Sequence, residues 1–163
     1  MPHRPLVHLR PPALLLALAA RGLEVTVARP FNVLGPGQSD QTPAGEFARA
    51  VRALSGPGEL RVRDSSLIRD FVSLGWVASV VLALARVRSW SPVVNLCSGR
   101  GVSFAELIEA MAVVHGVAPV RIVDTAPGGL PRVVGDPTLL QSLVGEQQPE
   151  GIADLARTAL EAR

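Results

Sequence analysis

The sequence contains no tyrosine and no lysine, so arginine supplies all 16 of its Lys/Arg positions. Within these 163 residues, the two absences exclude chemistry in which a phenol or a side-chain amine carries the proton. A single cysteine, Cys97, excludes an intrachain disulfide, and three scattered histidines give no zinc-ligand spacing. The formal charge is only +2 and the arginines are dispersed, which disfavours nucleic-acid binding. We therefore expect no metal site and no nucleic-acid partner.

The hydrophobic content of the chain is enough for one core. Hydrophobic residues make up 48% of the sequence and charged residues 18%, which predicts a single domain over residues 1–163. Residues 13–20 form an apolar run of signal-peptide length, but the run ends at Arg21 and Gly22 and leads into a predicted strand. No run approaches the roughly 20 apolar residues of a membrane span. We expect a cytoplasmic protein without a membrane partner.

Helices alternate with short strands along the chain, a pattern typical of α/β layer architectures. Proline in the first turn and a terminal glycine predict a helix over residues 11–21. Because this helix is apolar on every side, we expect a homo-oligomer or a partner chain to cover it. Further helices are predicted over 44–54, 77–87, 103–114 and 151–162 with a short one capped by Asp136, and strands over 23–28, 60–63, 69–73, 93–96 and 120–123. Residues 29–43 are rich in Gly and Pro and predict a loop.

Four ordered motifs carry a resemblance to a known family. They are RPFNVLGPGQ at 29–38, RDFV at 69–72, NLCSGRGVS at 95–103 and VGDP at 134–137. Together they resemble the extended short-chain dehydrogenases/reductases of the NAD-dependent epimerase/dehydratase family, which act on nucleotide sugars. The resemblance implies an α/β fold: a partial Rossmann-like parallel sheet with flanking helices and a small substrate-binding part. It also implies that the N-terminal dinucleotide-binding βαβ units are missing.

The resemblance assigns roles to single residues. Asn32 matches an asparagine that holds the substrate diphosphate. Arg69 matches an arginine that clasps the phosphates, and a planar guanidinium suits that role because it donates bidentate hydrogen bonds to phosphate oxygens. Pro30 would lie beside the nicotinamide if a cofactor is present. Ser98 and Arg132 are further candidates for substrate binding.

Several of these residues also have purely structural interpretations. The less favoured alternative for Asn32, in its Gly/Pro-rich loop, is a turn residue that tolerates left-handed dihedral angles. The less favoured alternative for Arg69 and Asp70 is a local ion pair on a strand edge. Cys97 is better explained as a small buried hydrophobe than as a nucleophile, and Asp136, which precedes a proline, as a helix cap.

The departures from the family pattern concern its catalytic and cofactor machinery. No Gly-x-x-Gly-x-x-Gly loop opens a helix. The family's tyrosine and lysine positions fall near His3 and Val7, and neither residue replaces them. Ala126 stands where the family has a second phosphate-binding arginine, and Gly129 where an aspartate is common. The resemblance thus implies NAD(P) for the family, but we expect no cofactor for this chain alone.

These observations favour a truncated or degenerate homologue that keeps a surface for a nucleotide-sugar-like or other anionic small molecule and lacks autonomous redox catalysis. One alternative is a free-standing, cofactor-independent isomerase, cyclase or dehydratase. It would use the cleft that binds the substrate in the family, with Asp70 and Ser98 as catalytic candidates. Another is a structural subunit or a partner-binding fragment. Whether the chain is an enzyme stays open at this point.

Overall fold

The computed structural model describes residues 20–22, 26–87, 93–147 and 149–161. Its strands are β1 (Val27–Pro30), β2 (Asn32–Leu34), β3 (Gly58–Val62), β4 (Ile68–Arg69), β5 (Phe71–Ser73), β6 (Val93–Leu96), β7 (Val102–Ser103), β8 (Val120–Asp124) and β9 (Arg132–Val133). Its helices are α1 (Pro43–Arg52), α2 (Leu74–Leu84), α3 (Phe104–His115), α4 (Thr138–Val144) and α5 (Ile152–Glu161). Most of the helix predicted over 11–21, and the surface that a partner was expected to cover, lie outside the described residues.

Parallel pairing dominates the described sheets. β1 pairs with β6, β2 with β5 and β3 with β8, all in parallel. β4 lies between β7 and β9, antiparallel to the first and parallel to the second. Parallel strands need long crossover connections, and the helices between them provide these. The expected α/β class with a partial Rossmann-like sheet is confirmed.

Two apolar clusters form the core. The larger packs α1, α3 and α5 against β3, and Val51, Leu107 and Met111 in it are fully buried. The smaller joins α2 to β6 and α4 through residues such as Val80 and Leu140. Each fully buried side chain of this size contributes about 1.5–3 kcal/mol, so these clusters hold the loops of the site in place. No helix in the described part of the chain is long and apolar enough to cross a membrane.

Side-chain caps set where the helices begin. At α3, Ser103 Oγ accepts a hydrogen bond from the Glu106 N–H at 3.1 Å, and the Glu106 carboxylate accepts one from the Ser103 N–H at 2.7 Å. This is the predicted capping box. α2 begins at Leu74 rather than at Val77, because Ser73 Oγ accepts a hydrogen bond from the Trp76 N–H at 2.9 Å and caps the earlier turn.

Two regions near the site differ from their predicted structure. Residues 29–43, predicted as a loop, contain the end of β1 and the whole of β2, whose Asn32 is in register with Phe71. Residues 69–73, predicted as one strand, are divided at Asp70 between β4 and β5. Strands of two or three residues are too short to show a period of two in the sequence, so pairing with distant partners decides them.

Candidate functional site

A cavity of about 280 Å³ lies among β2, β5 and the first residues of α1 and α3. Its lining consists of Asn32, Val33, Leu34, Gln38, Thr42, Pro43, Ala44, Leu67, Arg69, Phe71 and Phe104. A mostly apolar wall with a few polar groups is typical of sites that bind small organic molecules. The polar members of this wall are Asn32, Gln38, Thr42 and Arg69.

Arg69 supplies the positive charge of the cavity wall. Its Nη1 donates to the carbonyl oxygen of Ile68 at 2.7 Å, and its guanidinium carbon lies 5.6 Å from the centroid of the Phe104 ring. The face of an aromatic ring attracts a cation and restricts its orientation. A guanidinium has five N–H donors, so the remaining ones can reach an anion in the cavity.

Asn32 is fixed at the edge of the same cavity. Its Nδ2 donates to the carbonyl oxygen of Asp70 at 2.8 Å, and its backbone N–H donates to the same oxygen at 3.2 Å. Among the described residues, only glycines have a positive φ, so the interpretation of Asn32 as a left-handed turn residue is wrong. An amide has two N–H donors and one acceptor oxygen, which leaves the Asn32 Oδ1 and one N–H for a ligand.

Asp70 is the buried centre of a hydrogen-bond network, here called the Asp70 knot. The residue is 0% exposed. Its Oδ1 accepts hydrogen bonds from the Ser98 N–H at 3.0 Å and the Ser98 hydroxyl at 2.6 Å. Its Oδ2 accepts from the N–H groups of Gly99 at 2.9 Å and Gly135 at 3.2 Å. Because Asn32 binds the Asp70 carbonyl, the knot joins all four sequence motifs.

The knot separates two of the predicted site residues from the cavity. Neither Asp70 nor Ser98 is part of the cavity lining. Each carboxylate oxygen of Asp70 already accepts two hydrogen bonds, as a structural buried anion does. The ion pair between Arg69 and Asp70, considered above, is not formed, since the carboxylate is directed at Ser98 and the two glycines.

Gly135 closes the knot against Cys97. A Cβ at position 135 would lie 2.5 Å from the Cys97 sulfur and 2.8 Å from Cζ of Phe31, which is far inside van der Waals contact. A residue with a side chain would therefore push the loop outward, and its N–H would no longer reach Asp70. Only glycine permits this approach.

Cys97 is fully buried, as expected for a small hydrophobe. Burial raises the pKa of its thiol to about 11, with smaller contributions from the negative charges of Asp70 and Asp136. At about pH 8, roughly one such thiol in a thousand is ionised, and the thiolate is the reactive form. We expect iodoacetamide to leave the native chain unmodified and to label it fully in denaturant, as measured by intact-mass spectrometry. Rapid labelling of the native chain would contradict this.

Arg132 and Pro30 lie away from the cavity. Arg132 on β9 is in register with Ile68, and its Nη1 is 3.0 Å from the position of a Cβ on Gly101. Successive side chains of a strand point to opposite faces, so Arg132 and Arg69 lie on opposite faces of this small sheet. Pro30 is exposed at the end of β1. Of the substrate-binding residues predicted from the sequence, the structure brings only Asn32 and Arg69 into the cavity.

The described residues do not form a cradle for a dinucleotide. The first turns of α1, α2 and α3 are capped by Thr42, Ser73 and Ser103, and none of these turns follows a Gly-x-x-Gly-x-x-Gly loop. Gly99 is explained by packing, because a Cβ there would lie 2.9 Å from Pro137. These three helix starts therefore do not supply the glycine-rich phosphate loop of a dinucleotide-binding fold. The same residues contain no cluster of three His, Cys, Asp or Glu side chains for a metal ion.

Several cavity residues have no site role assigned from the sequence, among them Gln38, Thr42 and Phe104. For Thr42 a signal is present, because threonine followed by Pro43 marks a helix start. The N-terminal end of α1 then places both residues in the cavity wall. Phe104 directly follows the predicted cap of α3. Gln38 is the last residue of the motif at 29–38, but the resemblance assigns it no role.

Comparisons with known proteins show which sequences and folds this chain is similar to. The family model described as NAD dependent epimerase/dehydratase family matches residues 13–97. GDP-6-deoxy-D-mannose reductase of Pseudomonas aeruginosa is 39% identical over 95 residues, which are 56% of this chain and 31% of that protein. The structure of RMD from Pseudomonas aeruginosa complexed with NADPH matches with a TM-score of 0.76 and 34% identity, over 91% of this chain and 50% of that one. MoeE5, in complex with UDP-glucuronic acid and NAD, matches with a TM-score of 0.73 and 29% identity, over 91% and 51%.

Each match covers a larger share of this chain than of the protein with which it is compared. The chain spans about a third of the length of the curated reductase and about half of the two solved chains. Nearly all of this chain, 91%, therefore matches a part of each solved chain, and 56% of it matches a part of the reductase.

Proposed function

This chain belongs to the NAD-dependent epimerase/dehydratase family, and from that premise we propose that its cavity binds the diphosphate of a nucleotide sugar. The observation that carries the proposal is the meeting of Arg69 and Asn32 in one cavity, although 37 positions separate them in the sequence. Support also comes from the neighbours, since one is solved with UDP-glucuronic acid and another is named for a GDP-sugar. The chain covers only part of these proteins, so their whole reactions are not carried over to it.

The chemistry of the cavity suits a diphosphate with an organic substituent. The free N–H groups of Arg69 match phosphate oxygens in charge and geometry, and Asn32 adds a neutral donor beside them. Phe71 and Phe104 give an apolar wall for the rest of the ligand. Two charge-assisted hydrogen bonds contribute about 3–6 kcal/mol before the cost of ordering the ligand. We expect a dissociation constant of about 0.1–1 mM, which is weak for a nucleotide-sugar site.

We further propose that these 163 residues form one domain and carry out no hydride transfer by themselves. The sequence has neither tyrosine nor lysine, and the described residues give no dinucleotide cradle. The cofactor-independent alternative has less support, because the hydrogen bonds of the Asp70 knot already occupy Asp70 and Ser98.

Isothermal titration calorimetry tests the binding proposal. The chain is titrated with UDP-glucose, GDP-mannose and dTDP-glucose at low salt, where the attraction between Arg69 and phosphate is least screened. Saturable heat with at least one of them is expected. Absence of binding for all three at millimolar concentration would overturn the proposal.

A second arginine in the loop between β8 and β9 should strengthen the site. Ala126 is exposed in this loop, and the loop approaches Arg69, since a Cβ on Gly129 would lie 3.9 Å from the Arg69 Nη2. We expect Ala126→Arg to tighten nucleotide-sugar binding about tenfold, as one added charge-assisted contact would.

The control for this variant is Ala153→Arg, which adds the same charge at an exposed position of α5. It should leave the affinity of the chain unchanged. Equal tightening by both variants would show a general charge effect, and no tightening by Ala126→Arg would show that the loop does not face the diphosphate.

A further inference from the structure

The cavity wall contains an amide oxygen without a partner. Gln38 lines the cavity, and its buried Oε1 accepts no hydrogen bond from any residue in the described part of the chain. Most buried polar atoms in native proteins have a partner, and the exceptions need an explanation. A ligand in the cavity is one source of the missing donor.

The orientation of this amide follows from its neighbours. The Thr42 hydroxyl donates its one proton to the carbonyl oxygen of Ser39 at 2.9 Å, so it can only accept from Gln38. The Gln38 Nε2 accordingly donates to Thr42 Oγ1 at 2.8 Å. The nitrogen end of the amide is therefore held at Thr42, and the oxygen end is the one left without a partner.

Resting on the proposed function, we infer that Gln38 is a specificity-determining residue that accepts a hydrogen bond from the bound nucleotide sugar. Ionised phosphate oxygens are acceptors only, so Gln38 Oε1 cannot pair with the diphosphate. Arg69 and Asn32 bind the diphosphate instead. The donor is a hydroxyl of the sugar or an N–H of the nucleobase. The terminal torsion of a glutamine side chain is soft, so a small turn of the amide brings the buried oxygen to the ligand.

This role makes Gln38 a discriminator between ligands. A site with a buried acceptor favours a ligand that brings a donor, because a ligand without one leaves the acceptor unpaired and shielded from water. The side chain thus separates ligands by the presence of one hydroxyl or N–H group, whereas Arg69 recognises any diphosphate.

The test compares Gln38→Met with wild type by calorimetry. Methionine keeps the approximate length of the side chain and removes both the acceptor and the hydrogen bond that Nε2 donates to Thr42. The binding of pyrophosphate reports any disturbance of the loop that the second loss causes. The ligands are a nucleotide sugar that binds wild type, its nucleoside diphosphate, its sugar 1-phosphate and inorganic pyrophosphate. We expect Gln38→Met to bind the nucleotide sugar about tenfold more weakly and pyrophosphate as wild type does.

The two smaller organic ligands identify the donor. If it is a sugar hydroxyl, the sugar 1-phosphate loses affinity and the nucleoside diphosphate does not. If it is a base N–H, the reverse holds. Either pattern supports the inference.

The matched control is Gln41→Met, since Gln41 is exposed and outside the cavity lining. It should bind every ligand as wild type does. Unchanged binding of the nucleotide sugar to Gln38→Met overturns the inference and leaves the proposed function standing. An equal loss for pyrophosphate, or for Gln41→Met, also overturns it, because loop distortion then explains the effect. Failure of wild type to bind any nucleotide sugar removes both proposals.

Discussion

Replacing Arg69 by methionine is expected to weaken nucleotide-sugar binding about 10- to 100-fold. Methionine keeps an apolar stem that packs against Phe104, while the charge and its phosphate hydrogen bonds are lost. The effect is large because Arg69 is the charged residue of the cavity wall and is already oriented by the Ile68 carbonyl and the Phe104 ring. A pre-oriented donor loses little conformational entropy when it binds a ligand.

Calorimetry on Arg69→Met and Arg132→Met separates a specific contact from a general charge effect. Both variants remove one positive charge from a chain whose formal charge is +2. Arg132 lies on the other face of its sheet, so its loss should change affinity less than threefold, by the usual size of a distant charge effect. Equal losses in the two variants would show that phosphate is not bound at Arg69, and a larger loss for Arg132→Met would restore the sequence-based role of Arg132.

Replacing Asp70 by asparagine is expected to lower the free energy of unfolding by about 3–5 kcal/mol, the usual cost of breaking a buried charged network. The carboxylate accepts four hydrogen bonds in the interior. An asparagine has one acceptor oxygen, and its NH2 group would face N–H or O–H donors that then have no acceptor.

Urea unfolding followed by circular dichroism measures this change, with Asp40→Asn as the control. Asp40 is exposed, and its nearest cation, Arg49, is 4.0 Å away, so its loss should change stability by less than about 0.5 kcal/mol. A change below about 1 kcal/mol in Asp70→Asn would show that the knot is not a main support of the fold.

The knot explains why residues without ligand contacts appear in the motifs. Ser98, Gly99 and Gly135 direct hydrogen bonds at Asp70, and the Asp70 carbonyl holds Asn32. Asp70 is thus a positioning residue for Asn32. The motifs at 69–72, 95–103 and 134–137 form one junction around the buried Asp70 carboxylate, and this junction supports the cavity edge.

Much of the architecture could be predicted from local sequence signals. The capping box at Ser103 and Glu106 is present as predicted, and so is the strand Val93–Leu96, of which Val94 and Leu96 are buried and Asn95 is exposed. These features rest on neighbouring residues, whose caps and apolar runs act over a few positions. The start of α2 differs from the prediction by about one turn because Ser73 caps the helix at an earlier residue.

The division of the candidate site residues into two groups could not be predicted from the sequence. Arg69 and Asp70 are neighbours in one motif, yet the first faces the cavity and the second faces the knot. Alternation along an extended chain sends adjacent side chains to opposite sides, but the sequence does not say which side carries the ligand. The same holds for Arg132, whose register with Ile68 removes it from the cavity.

The sequence by itself determined the α/β class, the order of the motifs and the absence of a tyrosine and a lysine, because these depend on composition and short-range patterns. Only the tertiary structure decided that Asp70 is a buried structural group bonded to Ser98, that Arg69 and Asn32 share a cavity, and that Gln38 has an unpaired oxygen in its wall. The physical reason is that the hydrogen-bond partners of Asp70 lie 28 to 65 positions away from it in the sequence, and the cavity wall likewise draws on distant segments. The pairing of short parallel strands brings such residues together.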